Sequence, residues 1–178
     1  VLAHLSSDKN MIEILSSIDS DIHTETASRI FNVSLDSVTK DMRRKAKEVN
    51  FGLIYGMESF GLSKSLDITK NEAQELIDAY FSQFPKIKGF LDTIVSDAEK
   101  NGFTKTLYGR KRIIKELGSS NFQLKAMGKR IAMNAPIQGT AADIMKIAML
   151  KVESKISDLK STDLLLQIHD EIIVQTPI

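Results

Sequence analysis

The sequence predicts an α+β chain that is mostly helical, with an antiparallel β-hairpin near its C-terminal end. Two observations carry that prediction. Apolar side chains recur at helical spacing in successive segments between residues 9 and 156, each bounded by a capping or breaking residue. Residues 164 to 175 instead carry two short apolar runs around His169-Asp170-Glu171. A length of 178 residues suits one or two domains with a sizeable core, and 42% hydrophobic with 26% charged residues is the balance of a folded chain rather than a disordered one.

The elements follow in order. Met11, Ile12, Ile14, Leu15 and Ile18 predict a helix over residues 9 to 18, and Asp19-Ser20-Asp21 punctuates it. Asp21 can cap a helix running through His23, Thr24, Glu25, Ala27, Ile30 and Phe31. Residues 32 to 39 read as a loop and cap before a helix that ends near Gly56. Gly52 and Gly61 interrupt its surroundings, and glycine is a recurrent choice where backbone and ligand come close. Residues 71 to 84 form a second amphipathic segment closed by Pro85, and residues 87 to 100 a third that ends at Asn101-Gly102. Phe103 to Leu107 reads as a short strand leading into Gly109-Arg110-Lys111-Arg112. Helices over residues 121 to 134 and 140 to 156 are separated by Pro136 and Gly139. Strands over residues 164 to 168 and 172 to 175 then form the hairpin, with an acidic tip. The chain shows no internal repeat and no low-complexity linker.

Bulk charge excludes little. Twenty-four basic against 23 acidic residues leave a net charge of +1, so any polyanion-binding role must rest on local clusters. The absence of cysteine excludes disulfides and thiolate metal sites. No run of about 18 apolar residues and no basic-then-apolar leader is present, so the expectation is a soluble, intracellular protein without a membrane partner. The chain begins at Val1 and stops at Thr176-Pro177-Ile178 directly after a strand, which reads as a fragment.

Within the helix that ends near Gly56, Arg43, Lys47, Phe51 and Tyr55 stand four residues apart. Each four-residue step drifts about 40°, so they form a slowly turning stripe about 18 Å long. Met42, Ala46, Val49 and Leu53 fall in a sector about 60° wide on the other side of the helix, which is the core face. Phe51 and Tyr55 therefore lie outward beside Lys47, where an ordinary core helix carries polar groups. Cations followed by aromatics match a nucleoside triphosphate, anionic at one end and flat at the other. An outward aromatic pair can serve a protein contact instead.

Asp170 and Glu171 at the hairpin tip are hard oxygen ligands on a rigid support, the donor type that Mg²⁺ accepts while keeping waters and substrate phosphates. Most such tips are simply solvated. Beside a phosphate-binding stripe, however, they complete the parts that phosphoryl transfer requires. His23 near a helix start reads by itself as a satisfied surface or core histidine. Arg110, Lys111 and Arg112 suit a solvated turn or a grip on a nucleic-acid backbone. Asn134 and Gln138 carry amides that serve base edges or local caps equally well.

With these residues in view, the chain resembles the family A DNA polymerases, the bacterial DNA polymerase I kind, along essentially its whole length. Six blocks occur in that family's order: VLAHLS at 1 to 6, DIHTETA at 21 to 27, RRKAKEVNFGLIYG at 43 to 56, TLYGRKR at 106 to 112, NAPIQGTAADIMK at 134 to 146 and LQIHDEIIV at 166 to 174. The resemblance implies helical fingers over about residues 17 to 125, inserted into a palm formed by residues 1 to 16 and 126 to 178. It implies DNA-directed DNA synthesis by two-metal nucleotidyl transfer from a dNTP to a primer 3′-OH, on primer-template DNA, by a monomer in the bacterial cytoplasm and nucleoid. Arg43 and Lys47 would contact the triphosphate, with Lys47 also serving the departing pyrophosphate, and His23 would add a phosphate contact. Phe51 would pack on the nucleotide and Tyr55 would stand at the templating base. Asp170 and Glu171 would bind catalytic Mg²⁺, and His169 would touch the primer end. Arg130, Asn134 and Gln138 would line the minor-groove side, with Arg110, Lys111 and Arg112 on the strand backbone.

One departure bears on catalysis. The family's other metal-binding Asp belongs to a motif usually written DYSQIELR, about seven residues before the position of Val1, together with the Glu that excludes ribose. Asp8 lies on the wrong side of that motif, and Asp143 reads as part of a helix start. The isolated chain is therefore expected to be inactive. The competing readings are a fragment of a single-subunit RNA polymerase, against which Phe51 weighs because that family places Tyr there, and a non-catalytic nucleic-acid-binding domain.

Overall fold

Capping residues set where the helices begin. The computed structural model describes residues 1–18 and 20–177; Asp19 of the predicted punctuation and Ile178 of the predicted C-terminal segment lie outside the described residues. Helix α1 (Leu2–Ser6) leads to α2 (Lys9–Ser16), whose N-cap Asp8 accepts from the Met11 N–H at 3.0 Å. Asp21 caps α3 (Ile22–Phe31) and Thr39 caps α4 (Lys40–Ile54) in the same way. After α5 (Ser59–Leu66), Thr69 and Glu72 form a reciprocal capping box at the start of α6 (Lys70–Gln83). Pro85 opens α7 (Pro85–Asn101) at its first position, where a missing N–H costs nothing, and Gly102 at φ 77° ends it.

A small antiparallel pair follows, β1 (Phe103–Lys105) with β2 (Lys111–Ile113), then α8 (Phe122–Ile156) and the hairpin β3 (Asp163–Ile168) with β4 (Glu171–Gln175). Gly109 at φ 83° makes the β1–β2 turn, but Lys111 and Arg112 belong to β2 rather than to the turn itself. In the hairpin, Ile168 pairs with Glu171, so the tip is the two residues His169 and Asp170 and Glu171 already begins β4. Leu165 is the extra residue of a bulge between the Leu164–Val174 and Leu166–Ile173 pairs.

The main core packs α4 to α7 around Val49, Leu62, Tyr80, Phe84 and Ile87, all essentially inaccessible, with α1, α2 and the Ile137 turn of α8 closing it. Ala46 and Val49 are fully buried and Leu53 nearly so, as the stripe geometry predicts for α4. Asp8 is buried as well, and its second oxygen accepts from the Lys86 N–H at 3.0 Å, tying α2 to α7. That engagement keeps it out of any metal site.

Several expectations are corrected. The two helices predicted on either side of Pro136 and Gly139 are one continuous helix, so the Asn134–Gly139 stretch is not a loop and Asp143 lies well inside α8. A proline inside a helix loses one hydrogen bond and crowds the preceding turn, a cost of about 3 kcal/mol. Tertiary contacts offset it here. Pro136, Ile137 and Thr140 are buried, the Thr140 hydroxyl accepts from the Leu107 N–H at 2.9 Å, and the Gly139 carbonyl accepts from Arg110 at 3.0 Å. Gly52 and Gly61 also serve a different end: a Cβ on either would meet the Met57 side chain, at 3.1 and 2.9 Å, so both make room for Met57.

Candidate functional site

Helices α3 and α4 lie side by side, and a buried polar contact sets the rotation of α4. The Asn50 amide donates to the Thr26 hydroxyl at 3.1 Å, with both residues buried, and its nitrogen also lies 3.2 Å from His23 Nδ1. Burying an amide is tolerated only with such partners, so Asn50 must face α3. With Asn50 and the aliphatic sector turned inward, Arg43, Lys47, Phe51 and Tyr55 emerge together on the open face, where Phe51 and Tyr55 are 44% and 42% exposed. The His23 ring stands beside Phe51 at a centroid distance of 5.5 Å.

The electrostatics at the cationic end follow from these positions. Burial pushes the His23 pKa down, the Arg43 and Lys47 charges push the same way, and the nearby Asp21 opposes them. Arg43 donates through Nε to Asp21 Oδ2 at 2.7 Å and through Nη2 to Oδ1 at 3.2 Å. Asp21 also accepts from the Thr24 N–H and hydroxyl at 3.0 and 2.5 Å. The Arg43 guanidinium first, with Thr24 in support, holds the Asp21 carboxyl far below the usual carboxylate range. Lys47 has no ion pair among the described residues.

At its other end the stripe reaches α8. Tyr55 is the C-cap of α4, and its hydroxyl accepts from the Gln138 amide at 3.1 Å. Gly56, at φ 69°, presses its backbone so close to α8 that a Cβ there would lie 2.9 Å from Arg130 Cγ. Arg130 and Tyr55 line a recess of about 300 Å³ with Met57 and Phe60. Arg110, Arg112 and Gln138 line a neighbouring depression of about 170 Å³. Arg110 is anchored there by Asp143 at 2.7 Å, and the Thr106 side chain and Arg110 together lower the Asp143 pKa. Lys111 instead lies over the Phe103 ring at 4.6 Å. The Oδ1 of Asn134 is buried without a hydrogen-bond partner among the described residues.

The hairpin tip stands apart. His169 takes the left-handed turn position at φ 52°, and its carbonyl accepts from the Gln167 amide at 2.5 Å. Asp170 and Glu171 are exposed, and among the described residues neither is engaged by a cation or joined by a further metal-ligand side chain into a cluster of three. Two adjacent, uncommitted carboxylates have the hard-donor chemistry that suits Mg²⁺, a cation that fills its remaining positions with water and phosphate oxygens. No hydrogen bond or ion pair among the described residues links this tip to the α4 stripe. The structure thus joins His23, Arg43, Lys47, Phe51, Tyr55, Arg130, Gln138 and Arg110 through shared contacts and shared recesses.

Two residues that support this surface escape sequence reasoning. Asp21 reads only as a cap, because its partner Arg43 lies 22 positions downstream. Asn50 did leave a signal: at about 340° on the α4 wheel it borders the aliphatic sector, where an amide requires a partner.

The family model of DNA polymerase family A matches residues 1–178. The chain is 46% identical over 179 residues to DNA polymerase I of Caldicellulosiruptor bescii, covering 99% of this chain and 21% of that one. Against DNA polymerase I of Bacillus subtilis it is 47% identical over 178 residues, covering 99% and 20%. A solved structure, described as the POL domain of Pol1 from M. smegmatis in complex with DNA primer-template and dNTP, superposes with a TM-score of 0.91 at 42% identity, over 98% of this chain and 31% of the other. The chain spans about a fifth of the length of the curated relatives it matches. Among the described residues no helix is long and apolar enough to cross a membrane. Identity this high over the full chain, together with a family model that matches every residue, means that the chain belongs to DNA polymerase family A.

Proposed function

We propose that the protein carrying this chain performs template-directed DNA synthesis, adding a deoxynucleotide from a dNTP to a primer 3′-OH. The observation that carries the reading is the single exposed face on which Arg43, Lys47, Phe51 and Tyr55 follow one another and meet Gln138 of α8. Arg43 and Lys47, with His23 beside them, receive the triphosphate; Lys47, uncommitted to any carboxylate among the described residues, neutralises the departing pyrophosphate. Phe51 packs on the sugar and base, and Tyr55 stands where the templating base is judged. Arg130, Asn134 and Gln138 follow the minor-groove side, Arg110, Lys111 and Arg112 the strand backbone, and His169 the primer end.

Asp170 and Glu171 hold Mg²⁺ on this reading, as part of a two-metal site whose other carboxylate is expected in the motif upstream of Val1 in the family pattern. When bound, the metal neutralises charge on the transferred phosphoryl group. On this reading residues 17 to 125 act as fingers and residues 1 to 16 with 126 to 178 as palm. The 178-residue chain alone, with carboxylates from one of the two motifs, does not extend a primer.

Primer extension tests both statements. The complete protein should extend a primer and lose that activity on Asp170→Ala with DNA affinity retained. Extension by the isolated chain that Asp170→Ala abolishes would overturn the requirement for the upstream carboxylate, and an unaffected Asp170→Ala in the complete protein would remove the hairpin from the chemistry.

A further inference from the structure

We propose that Asp21 is the positioning residue for Arg43, holding one edge of the guanidinium so that the other edge is presented to the nucleotide phosphates. This rests on the reading of Arg43 as a triphosphate contact.

An arginine carries five N–H donors in a planar fork. The Asp21 carboxylate takes the edge formed by Nε and Nη2, at 2.7 and 3.2 Å. The terminal edge between Nη1 and Nη2 has no partner among the described residues, and this is the edge that grips a phosphate through two parallel bonds. Asp21 does not block the phosphate-binding edge; it fixes the plane in which that edge lies.

Asp21 is itself held in place. As N-cap of α3 it accepts from the Thr24 backbone N–H at 3.0 Å and from the Thr24 hydroxyl at 2.5 Å. Helix α3 is in turn locked to α4 by the buried Thr26–Asn50 bond, and it sets His23 against Phe51 at 5.5 Å. One helix start therefore orients both the arginine and the histidine of the cationic end. An unrestrained arginine loses rotamer freedom when it binds a phosphate, and a guanidinium already held by Asp21 has lost it beforehand. The carboxylate also cancels the Arg43 charge in part, which leaves Lys47 as the uncompensated cation of the stripe.

The variants that test this keep the cap. Asn and Ser are as good as Asp at an N-cap, so Asp21→Asn and Asp21→Ser preserve the start of α3 while removing the carboxylate. In steady-state extension by the complete polymerase, both should raise the KM for dNTP about tenfold, the loss of one oriented charge-assisted contact, with kcat and primer-template affinity little changed. Combined with Arg43→Ala, Asp21→Asn should add nothing further. A KM unchanged or lowered by both variants, the latter being the mark of a carboxylate that competes with the nucleotide, would overturn the proposal. So would an Asp21→Asn effect of equal size with and without Arg43, which marks a role in helix folding alone. If Arg43→Ala itself leaves the KM unchanged, the assignment of Arg43 falls and this proposal with it. An Arg43→Ala effect with an inert Asp21→Asn removes only this one.

Discussion

The Gln138 amide donates to the Tyr55 hydroxyl at 3.1 Å across 83 residues of sequence, joining the last residue of the α4 stripe to the middle of α8. The bond is exposed, so water can replace either partner, and its net worth is about 0.5–1 kcal/mol. Tyr55→Phe and Gln138→Ala should each cost about that much, and the double variant no more than the larger single one. Urea unfolding of the four proteins of the cycle measures the coupling. Strict additivity would mean that the two side chains do not meet in solution.

His23 should make nucleotide binding pH-dependent. Its pKa is lowered chiefly by burial, so the folded chain resists its protonation. The stability linked to it is complete above the ordinary imidazole value and is lost as pH falls through the lowered one. A triphosphate beside the ring acts the other way, favouring the imidazolium and raising the pKa in the complex. Nucleotide affinity should therefore increase as pH falls through the imidazole range, with proton uptake on binding. Titration at several pH values checks this, and in His23→Gln the slope should flatten.

Two helical glycines should respond oppositely to alanine. A Cβ at Gly128 would lie 2.9 Å from the Leu117 backbone nitrogen and 3.1 Å from the Glu116 carbonyl carbon, neither of which can swing aside. Gly128→Ala should destabilise by about 1–3 kcal/mol. Gly89 is exposed inside α7 with nothing within 4 Å of its would-be Cβ. Gly89→Ala should stabilise by about 0.5–1 kcal/mol, because the helix no longer orders a glycine backbone. Thermal denaturation of the two variants should give shifts of opposite sign.

Phe51→Tyr should ease acceptance of dideoxynucleotides by the complete polymerase. A phenol hydroxyl on this exposed ring can supply the hydrogen bond that disappears with the sugar 3′-OH. The ratio of dideoxy to deoxy incorporation measures it, and an unchanged ratio would separate Phe51 from the sugar.

What the sequence made legible was local. The α4 stripe, the Asp21 cap, the Gly102 stop and the two runs of the hairpin all follow from spacing and side-chain chemistry within a few residues. The misreading of α8 has a tertiary origin: Pro136 signals a break, but burial of Pro136 and Ile137 and the bonds from Leu107 and Arg110 hold the helix together there. Strand β2 was invisible because Lys111, Arg112 and Ile113 are all exposed and so carry no alternation. The site divides in the same way. Four residues on one helix announce themselves by period, whereas Asp21 with Arg43 and Gln138 with Tyr55 are pairs that only the folded chain brings together.

Lys47 is the sharpest test of how the stripe divides its labour. Arg43 is already neutralised in part by Asp21, and Phe51 and Tyr55 carry no charge, so on the proposed reading Lys47 is the residue of this four-membered stripe with a full charge to direct at an oxygen that becomes more negative in the transition state. An interaction that strengthens in the transition state appears in the rate rather than in ground-state binding. Lys47→Ala should therefore slow single-turnover incorporation on the order of 100-fold while changing primer-template affinity little. Lys47→Arg keeps the charge but spreads it over a wider, flatter group, and should recover part of the rate. Rapid-quench measurements at saturating nucleotide separate the two quantities. A loss confined to DNA affinity would move Lys47 from the leaving group to the template strand.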